Sequence, residues 1–192
     1  MNTVRPVGIL LAAGRGRRFD PSGVQDKLLQ RLADGDAVVV ASARHLLGVL
    51  PRVIAVVPPA DRGVAAALRA LGCEVTVCQE ADTGMGTSLA HAVAVSLPGA
   101  QAWVIALGDM PFVDPATIQA LSDALVRGAD IAAPVFEGKR GNPIGFGAVH
   151  LPALLALAGD EGARRIVRAA PVVEVAVDDL GILRDVDTAA DL

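Results

Sequence analysis

Apolar stretches of strand length recur along this chain, and they alternate with stretches whose pattern favours helices. The most regular of them cover residues 7–11, 53–57 and 102–107. Each is apolar at successive positions, so both faces of each strand are expected to be buried. Strands of that kind belong to parallel sheets that are covered by helices on both sides. The pattern therefore predicts one α/β domain, from residue 1 to residue 192, with a mostly parallel central sheet.

Glycine, proline and aspartate divide the chain into further elements. A helix over 37–50 ends before Pro51, although the run Val38-Val39-Val40 leaves a strand possible there. Asp114 and Pro115 are typical of a helix start, because a capping carboxylate precedes a proline at the first helical position. Other strands are expected at 73–78, 130–136, 144–149 and 172–177, other helices at 60–71, 87–97, 151–158 and 161–169, and a turn at 137–142.

The composition excludes several classes of protein. Hydrophobic residues make up 53% of the chain and the net charge is −4, whereas a general nucleic-acid binder would carry a concentrated basic face. No apolar run reaches the roughly 18 residues of a membrane-spanning helix, and residues 1–6 lack the apolar core of a signal peptide. Cys73 and Cys78 lie five positions apart in one expected strand, so their side chains should point to opposite faces. We therefore expect a cytoplasmic protein with reduced thiols.

A basic, glycine-rich loop follows the first strand and stands out against the acidic background. It reads Ala12-Ala13-Gly14-Arg15-Gly16-Arg17-Arg18-Phe19, and Lys27 lies a short way downstream. Small residues let the backbone approach a bulky ligand, and successive backbone N–H groups can bind an anion. The arginines and the lysine would neutralise a polyphosphate lying there. The loop predicts a phosphate site, the alternative being a solvated basic loop.

This loop matches neither of two common phosphate-binding motifs. The sequence contains no G-x-x-x-x-G-K-[ST] pattern, which excludes a P-loop. The run from Gly14 begins like G-x-G-x-x-G, but Phe19 stands where the third glycine would permit close packing of helix on strand. Three cations are also a poor match for a dinucleotide site. An oxidoreductase of the dinucleotide-binding type is therefore a distant alternative.

Two other polar segments, 79–88 and Gly108-Asp109, also follow expected strands. In open parallel sheets ligands bind beyond the carboxyl ends of the strands, so these segments and the first loop should share one edge. Asp109 can hold Mg²⁺ together with phosphate oxygens, or it can cap a helix. The stretch from Gly84 to Ser88 opens a helix whose free N–H groups suit a ribose or a phosphate, the alternative being a plain cap. Taken singly, the stretches around Asn142 and Asp160 are a turn and a capped helix break.

These motifs occur in one order across almost the whole chain, and together they resemble a known family. They are Leu11-Ala12-Ala13-Gly14 through Arg18 with Lys27, Gly84 through Leu89, Gly108-Asp109-Met110-Pro111, Gly141-Asn142-Pro143 and Asp185-Val186-Asp187-Thr188. The set resembles the MobA-like nucleotidyltransferases and looks most like the molybdenum cofactor cytidylyltransferases among them. Leu-Ala-Ala-Gly in the first loop, Gly-Met-Gly-Thr-Ser-Leu in the middle loop and Gly-Asp-x-Gly-Ala-Arg at 159–164 favour that branch over the guanylyltransferases.

The resemblance implies a fold, a reaction and a set of site residues. The fold is a single-domain, Rossmann-like three-layer sandwich. The reaction moves a nucleoside monophosphate, CMP from CTP, onto the terminal phosphate of molybdopterin and releases pyrophosphate, with Mg²⁺ as cofactor. The implied catalytic residues are Arg18, Lys27 and Asp109, the metal ligands are Asp109 and Asp187, and the acceptor contacts are Asn142 and Asp160. The implied nucleotide-binding residues are Leu11, Ala12, Ala13, Gly14, Arg15, Gly16, Gln79, Gly84, Thr87 and Ser88.

Several alternatives are open at this point. The transferred nucleotide could be guanylyl or another, and the acceptor could be a sugar phosphate or another phosphorylated compound. A non-catalytic nucleotide-binding module, for example one that delivers a cofactor to an oxidoreductase, is a third hypothesis, and the joint presence of Lys27 and Asp109 argues against it. The partner that the resemblance implies is a molybdoenzyme that receives the finished cofactor.

Overall fold

The computed structural model describes residues 5–14, 16, 19–20, 22, 25–97 and 99–192. Arg15, Arg17 and Arg18 lie outside the described residues, so the roles given to Arg15 and Arg18 stay predictions. The strands in the described part are β1 (Val7–Leu11), β2 (Val53–Val57), β3 (Glu74–Val77), β4 (Ala102–Leu107), β5 (Ile131–Phe136), β6 (Lys139–Arg140), β7 (Ile144–Gly147) and β8 (Val173–Ala176). The α-helices there are α1 (Val38–Leu47), α2 (Val64–Leu71), α3 (Met85–Ser96), α4 (Pro115–Val126), α5 (Leu151–Leu155) and α6 (Arg164–Ala169). Short 3₁₀ helices cover Lys27–Leu29, Ala81–Thr83, Ala148–His150, Leu180–Leu183 and Ala189–Asp191.

All of these strands belong to one sheet, in the order β3-β2-β1-β4-β7-β5-β6, with β8 paired to β5. β1 pairs in parallel with β2 and β4, so that Leu11 lies opposite Val56 on one side and Leu107 on the other. Only β6 and β7 run against the common direction, which confirms the mostly parallel sheet. The chain leaves β1 towards β2 and β3 and returns on the other side of β1 as β4. The boundary between β1 and β4 is therefore a topological switch point, where open α/β sheets bind their ligands.

The two faces of the sheet have separate apolar cores. One core packs α1, α2 and α4 against a face that includes Leu10, and the other packs α3, α5 and α6 against a face that includes Ile9. Successive residues of β1 point to opposite faces, as the period of a strand requires, and both of these side chains are fully buried. A buried sheet between two helical layers confirms the three-layer sandwich.

Several predicted elements have different bounds in the structure. The segment at 37–50 is a helix over Val38–Leu47, because its buried residues recur at helical spacing, and its valine run is not a strand. The helix expected at 60–71 begins at Val64, after a glycine with a φ of 108°. The turn expected at 137–142 contains β6, which forms a hairpin with β5. Across the described residues, no helix combines the length and the apolar character needed to cross a membrane.

Cys73 and Cys78 lie at the two ends of β3, and both are free and buried. Their side chains belong to different cores, which confirms the prediction that they point to opposite faces. Burial disfavours the charged thiolate and raises the pKa of the Cys73 thiol to about 11. The two cysteines are therefore core residues of the fold.

Candidate active site

A cleft opens at the carboxyl ends of β1 and β4, beside the switch point. Its volume is about 400 Å³, a size that suits a small-molecule ligand. Residues from all three predicted polar segments line it, which confirms that these segments share one edge of the sheet. The lining residues are Leu11, Ala13, Gly14, Gly16, Lys27, Leu28, Ala81, Asp82, Gly84, Met85, Ser88, Leu107, Asp109 and Asp160.

Backbone hydrogen bonds extend the sheet past β1 and β4 into the cleft. The N–H of Ala12 donates to the carbonyl oxygen of Val56 at 3.0 Å, and the N–H of Gly108 donates to that of Leu11 at 2.9 Å. A Cβ atom at position 108 would lie 3.0 Å from the Leu11 oxygen, so this approach favours glycine. Ala12 itself is buried in the core. The arrangement holds residue 109 directly beside the loop of small residues.

Asp109 is held through the backbone from two directions. The buried hydroxyl of Ser42, on α1, lies 3.0 Å from the carbonyl oxygen of Gly108 and donates to it. On the other side, the N–H of Val186 donates to the carbonyl oxygen of Asp109 at 2.8 Å. Neither contact uses the Asp109 carboxylate, which belongs to the lining of the cleft. Ser42 is not among the predicted site residues, and its signal in the sequence is a polar residue on the buried face of a helix.

Lys27 belongs to the short 3₁₀ helix Lys27–Leu29, which is held by an N-terminal cap and by a buried side chain. The carboxylate of Asp26 accepts a hydrogen bond from the N–H of Leu28 at 2.9 Å, and the Leu28 side chain is buried in the core. The Lys27 ammonium lies 2.7 Å from Oδ2 of Asp109 and 3.5 Å from Oδ1 of Asp187. The Lys27 side chain is only 11% exposed, so water screens these charges less than it would on the open surface. The two charged residues singled out in the sequence therefore face the same cleft in direct contact.

Three carboxylates converge beside Lys27. Asp109, Asp185 and Asp187 each offer an oxygen, and these oxygens lie within 4.8 Å of one another. An all-oxygen, strongly anionic set of ligands suits a hard divalent cation such as Mg²⁺ or Mn²⁺, so the residues present fit a divalent metal. Asp185 is not among the predicted ligands. Its signal is the alternation around Val186, because the residues on either side of a fully buried position point together away from the core.

A hydrogen-bonded cap fixes the backbone that carries Asp187. One carboxylate oxygen of Asp191 accepts hydrogen bonds from the N–H of Asp187 at 3.1 Å and from the N–H of Thr188 at 2.7 Å. It also accepts from the Thr188 hydroxyl at 2.8 Å. These bonds, that of the hydroxyl above all, lower the pKa of Asp191, because they stabilise its ionised form. The cap holds the end of the acidic segment, residues 185–187, where the Asp187 carboxylate lies 3.5 Å from the Lys27 ammonium.

Further upstream, the buried carboxylate of Asp179 ties the C-terminal segment to the start of α4. Its Oδ2 accepts from the N–H of Asp114 at 2.9 Å and from the hydroxyl of Thr117 at 2.7 Å. Its Oδ1 accepts from the N–H of Gly181 at 2.8 Å. Asp179 is 9% exposed, and such a buried carboxylate is tolerated because its oxygens are hydrogen-bonded. This contact joins a segment late in the chain to the sheet edge that carries the cleft.

The N-terminus of α3 packs against the loop of residues 158–161 closely enough for the two backbones to form a hydrogen bond. The N–H of Gly86 donates to the carbonyl oxygen of Gly159 at 2.7 Å. A Cβ atom on Gly86 would lie 2.6 Å from a backbone oxygen of this loop, and one on Gly84 would collide with the backbone of Gly159. Both positions therefore require glycine. The contact brings Asp160 into the cleft wall beside Gly84 and Ser88.

Apart from Ala12, which is buried in the core, and Asp187, which contacts Lys27, three predicted site residues in the described part of the chain do not line the cleft. The hydroxyl of Thr87 accepts a hydrogen bond from the N–H of Gly159 at 3.1 Å and supports the packing of α3. Gln79 is exposed at the end of β3. Asn142 lines a separate pocket of about 10 Å³ together with Ser42 and His45, which is room for about one water molecule. The ligand contacts expected of these three residues stay predictions.

Comparisons with known proteins extend over nearly the whole chain. A family model described as the MobA-like NTP transferase domain matches residues 8–175. The purine catabolism protein PucB of Bacillus subtilis (strain 168) is 31% identical over 198 residues, which cover 95% of this chain and 91% of that protein. The crystal structure of Rv0371c from Mycobacterium tuberculosis H37Rv is 31% identical, with a TM-score of 0.85, and the match covers 100% of this chain and 96% of that one. A structure of Rv0371c in complex with manganese is 30% identical, with a TM-score of 0.79 and coverage of 98% and 96%.

The matched range includes the loop after β1, the α3 N-terminus, Lys27 and Asp109, which are the parts that form the cleft. The sequence identity of about a third over nearly the whole length and the shared fold support the same family assignment as the geometry of the cleft. The chain therefore belongs to the MobA-like NTP transferase family and is a nucleotidyltransferase.

Proposed function

We propose that this nucleotidyltransferase moves CMP from CTP onto the terminal phosphate of molybdopterin and releases pyrophosphate. The observation that carries the proposal is the meeting of a lysine and acidic side chains in one cleft, with the Lys27 ammonium 2.7 Å from Asp109 and 3.5 Å from Asp187. Nucleotidyl transfer asks the protein chiefly to align two phosphates and to neutralise their charge. A cation and a candidate metal site side by side at the switch point supply both requirements.

The triphosphate would lie between the loop after β1 and the start of α3. Gly14 and Gly16 line one wall, and Gly84 and Ser88 line the other. The first turn of α3, a helix of 12 residues, has N–H groups without partners inside the helix, and its dipole favours an anion. Arg15 and Arg18 are proposed, from the sequence, to neutralise the phosphates that this backbone binds.

In the proposed step, an oxygen of the acceptor's terminal phosphate attacks the α-phosphorus of the nucleotide. A new P–O bond forms while the bond between the α-phosphorus and the oxygen bridging to the β-phosphate breaks, and pyrophosphate leaves with that electron pair. The attacking oxygen is already ionised, so the reaction needs no general base, and the lining residues of the cleft include no histidine. Lys27 would stabilise the charge that accumulates on the α-phosphate oxygens.

A divalent cation held by Asp109 and Asp187, with Asp185 as a further ligand, would neutralise phosphate charge and help to align the nucleotide. We propose Mg²⁺ as that cation. The manganese complex of Rv0371c supports a divalent metal in the family, and the oxygen ligands of this chain suit either ion.

The acceptor is proposed from the resemblance of the motifs to the cytidylyltransferase branch, with Asp160 and Asn142 as its contacts. Asp160 lies in the wall of the cleft. The relative from Bacillus subtilis is named for purine catabolism, and a molybdoenzyme that oxidises its substrate is compatible with that name. Such an enzyme is the partner that we propose for the finished cofactor.

The proposal is tested by a panel of substrates. The purified protein is incubated with Mg²⁺, with each of CTP, GTP, ATP and UTP, and with molybdopterin or a sugar phosphate, and pyrophosphate release is measured. We expect turnover with CTP and molybdopterin. Turnover confined to GTP or to sugar phosphates would contradict the proposed substrates but not the class of reaction.

A thermal-shift series with the same four nucleotides and Mg²⁺ measures binding separately from turnover. A ligand at 100 times its Kd stabilises the folded protein by roughly 2.7 kcal/mol, so the preferred nucleotide should raise the Tm most, and we expect CTP to do so. Stabilisation by nucleotides without pyrophosphate release from any pair of substrates would indicate a binding module.

A further inference from the structure

We infer that Lys27 keeps divalent cations off the acidic cluster of Asp109, Asp185 and Asp187 until an anionic ligand draws its ammonium away. The ammonium and the cation would compete for the same oxygens, so the free enzyme would bind the metal weakly and the nucleotide-bound enzyme tightly. The inference rests on the proposed function only for the identity of the anion, a nucleoside triphosphate.

The first step of the argument is the position of the ammonium. Lys27 Nζ is 2.7 Å from Oδ2 of Asp109 and 3.5 Å from Oδ1 of Asp187, and these two carboxylates belong to the cluster whose oxygens lie within 4.8 Å of one another. A divalent ion that used the same oxygens would lie close to the ammonium. Two cations at that separation repel each other strongly, because the Lys27 side chain is only 11% exposed and water screens the charges poorly.

The second step is the freedom of the lysine to move. Its backbone is fixed by the Asp26 cap and by the buried Leu28. The base of the side chain is therefore held in place, whereas the four-carbon stem can swing its terminal ammonium. The exchange requires a change of side-chain rotamer and no rearrangement of the sheet.

The third step is the coupling between ligands. Phosphate oxygens in the cleft would offer the ammonium another anionic partner and release Oδ2 of Asp109, its partner at 2.7 Å, to the metal. Because coupling between two binding equilibria is reciprocal, the metal would raise the affinity for the nucleotide by the same factor. Lys27 would thus couple the binding of the metal to that of the nucleotide, in addition to any coupling that arises from direct contact between the two ligands.

The test measures Mn²⁺ affinity of the full chain without nucleotide, from the electron paramagnetic resonance signal of free Mn²⁺. Lys27→Met removes the charge and keeps an unbranched side chain, and Lys27→Arg keeps the charge. Lys139→Met is the matched control, because Lys139 is exposed on β6. We expect Lys27→Met to bind Mn²⁺ about tenfold more tightly than the wild type, within the usual range for coupled sites, and the other two variants to bind like the wild type. Wild-type or weaker affinity in Lys27→Met, or equal tightening in Lys27→Arg, would overturn the inference.

A second measurement uses the wild type and does not depend on the stability of any variant. The chain contains two lysines, Lys27 and Lys139, so protein labelled with ¹³C at lysine Cε gives two resolvable signals. As Mg²⁺ saturates the site, the Lys27 signal should shift and that of Lys139 should not, and a stationary Lys27 signal at saturation would overturn the inference. Neither readout involves turnover. A protein that shows both effects but releases no pyrophosphate would overturn the proposed reaction alone.

Discussion

At the scale of single residues, the chemistry proposed for the cleft depends on an ion pair between residues that lie 82 positions apart in the chain. Lys27 comes from the loop after β1, and Asp109 comes directly after β4. Removing either member of a poorly exposed ion pair leaves the other charge without its partner, and this costs more than losing a pair on the open surface. Substitutions at these two positions should therefore have distinct effects, at Lys27 on kcat and at Asp109 on the dependence of activity on a divalent metal.

Replacing Lys27 by alanine should lower turnover by about 10² to 10³, the scale of losing one preorganised electrostatic donor. The physical reason is that charge accumulating on the α-phosphate oxygens would lose the lysine cation that we assign to it. The measurement is kcat for pyrophosphate release at saturating nucleotide, with Lys139→Ala as the control expected to match the wild type. Undiminished kcat in Lys27→Ala would contradict the assignment.

Replacing Asp109 by alanine should abolish activity that depends on a divalent metal and should weaken Mn²⁺ binding, because the cluster loses the ligand nearest the switch point. Activity is titrated against Mg²⁺ concentration, and Mn²⁺ affinity is measured separately. Asp123→Ala, at an exposed position of α4, serves as the control. A normal dependence on Mg²⁺ in Asp109→Ala would mean that Asp109 is only a turn or cap residue.

At the scale of elements, the cleft depends on how closely α3 approaches the loop of residues 158–161. Glycine at positions 84 and 86 lets the two backbones come into hydrogen-bond contact, with 2.7 Å between the N of Gly86 and the O of Gly159. The helix N-terminus and Asp160 are placed by the same contact. Their geometry is therefore a property of this packing and not of either segment alone.

Gly86→Ala should destabilise the protein by about 1–3 kcal/mol, the usual cost of forcing an extra carbon into a filled space. The added Cβ would lie 2.6 Å from the carbonyl oxygen of Glu161. Urea unfolding followed by circular dichroism measures the change. Gly48→Ala is the control, because its Cβ would be no closer than 3.4 Å to the backbone and its φ is −66°. Equal free energies of unfolding for the two variants would contradict the proposed role of the contact.

At the scale of the whole molecule, the C-terminal segment adds Asp185 and Asp187 to a site whose other residues, Asp160 apart, come from the first 110 positions. Val186 hydrogen-bonds to Asp109, and Asp179 fixes the same segment to the start of α4. These contacts hold the backbone that places Asp185 and Asp187 near Asp109, and Asp187 beside Lys27. Stability and metal affinity should consequently be linked in this protein.

Asp179→Ala tests that link at a residue that is not part of the acidic cluster. The substitution removes three hydrogen bonds and leaves buried donors without partners, which should cost roughly 2–5 kcal/mol, and the loosened segment should bind Mn²⁺ more weakly. Both quantities are measured against Asp178→Ala, whose side chain is at an exposed position next to it. Unchanged Mn²⁺ affinity in a clearly destabilised Asp179→Ala would show that the acidic segment is fixed by other contacts.

Burial of Cys73 should make the free energy of unfolding decrease as the pH rises through the alkaline range. The ordinary pKa of the thiol is 9.0 and the folded value is about 11, so the folded state retains the proton more strongly. The stabilisation is fully present below pH 9 and is lost as the pH rises towards 11, because the unfolded thiol ionises first. Chemical denaturation from pH 8 to 10.5 should show a shallower decline of the free energy of unfolding for Cys73→Ala than for the wild type. Parallel declines would contradict this source of the pH dependence.

Much of the fold is readable from local pattern. The bounds of β1, β2 and β4 match the predicted ranges, because these strands are apolar at nearly every position and are flanked by turn residues. Helix starts are less accurate, as at α2, because a cap or a positive φ depends on contacts that the pattern does not show. In the site, Lys27 and Asp109 are recognisable by position after strands, whereas the hydrogen bonds of Ser42 and Asp179 to distant backbone groups cannot be read from the local pattern.

The α/β class and the polar edge of the sheet could be inferred from the chain alone, because hydrophobic periodicity and strand-end positions are local properties, and the family could be inferred from the resemblance of its motifs. The folded structure was needed to find that the Lys27 ammonium contacts the Asp109 and Asp187 carboxylates, that Asp185 joins their cluster, and that Gln79, Thr87 and Asn142 do not line the cleft. The physical reason is that such contacts depend on how residues distant in the chain pack in space, where differences of one or two ångströms separate an ion pair from two unrelated side chains.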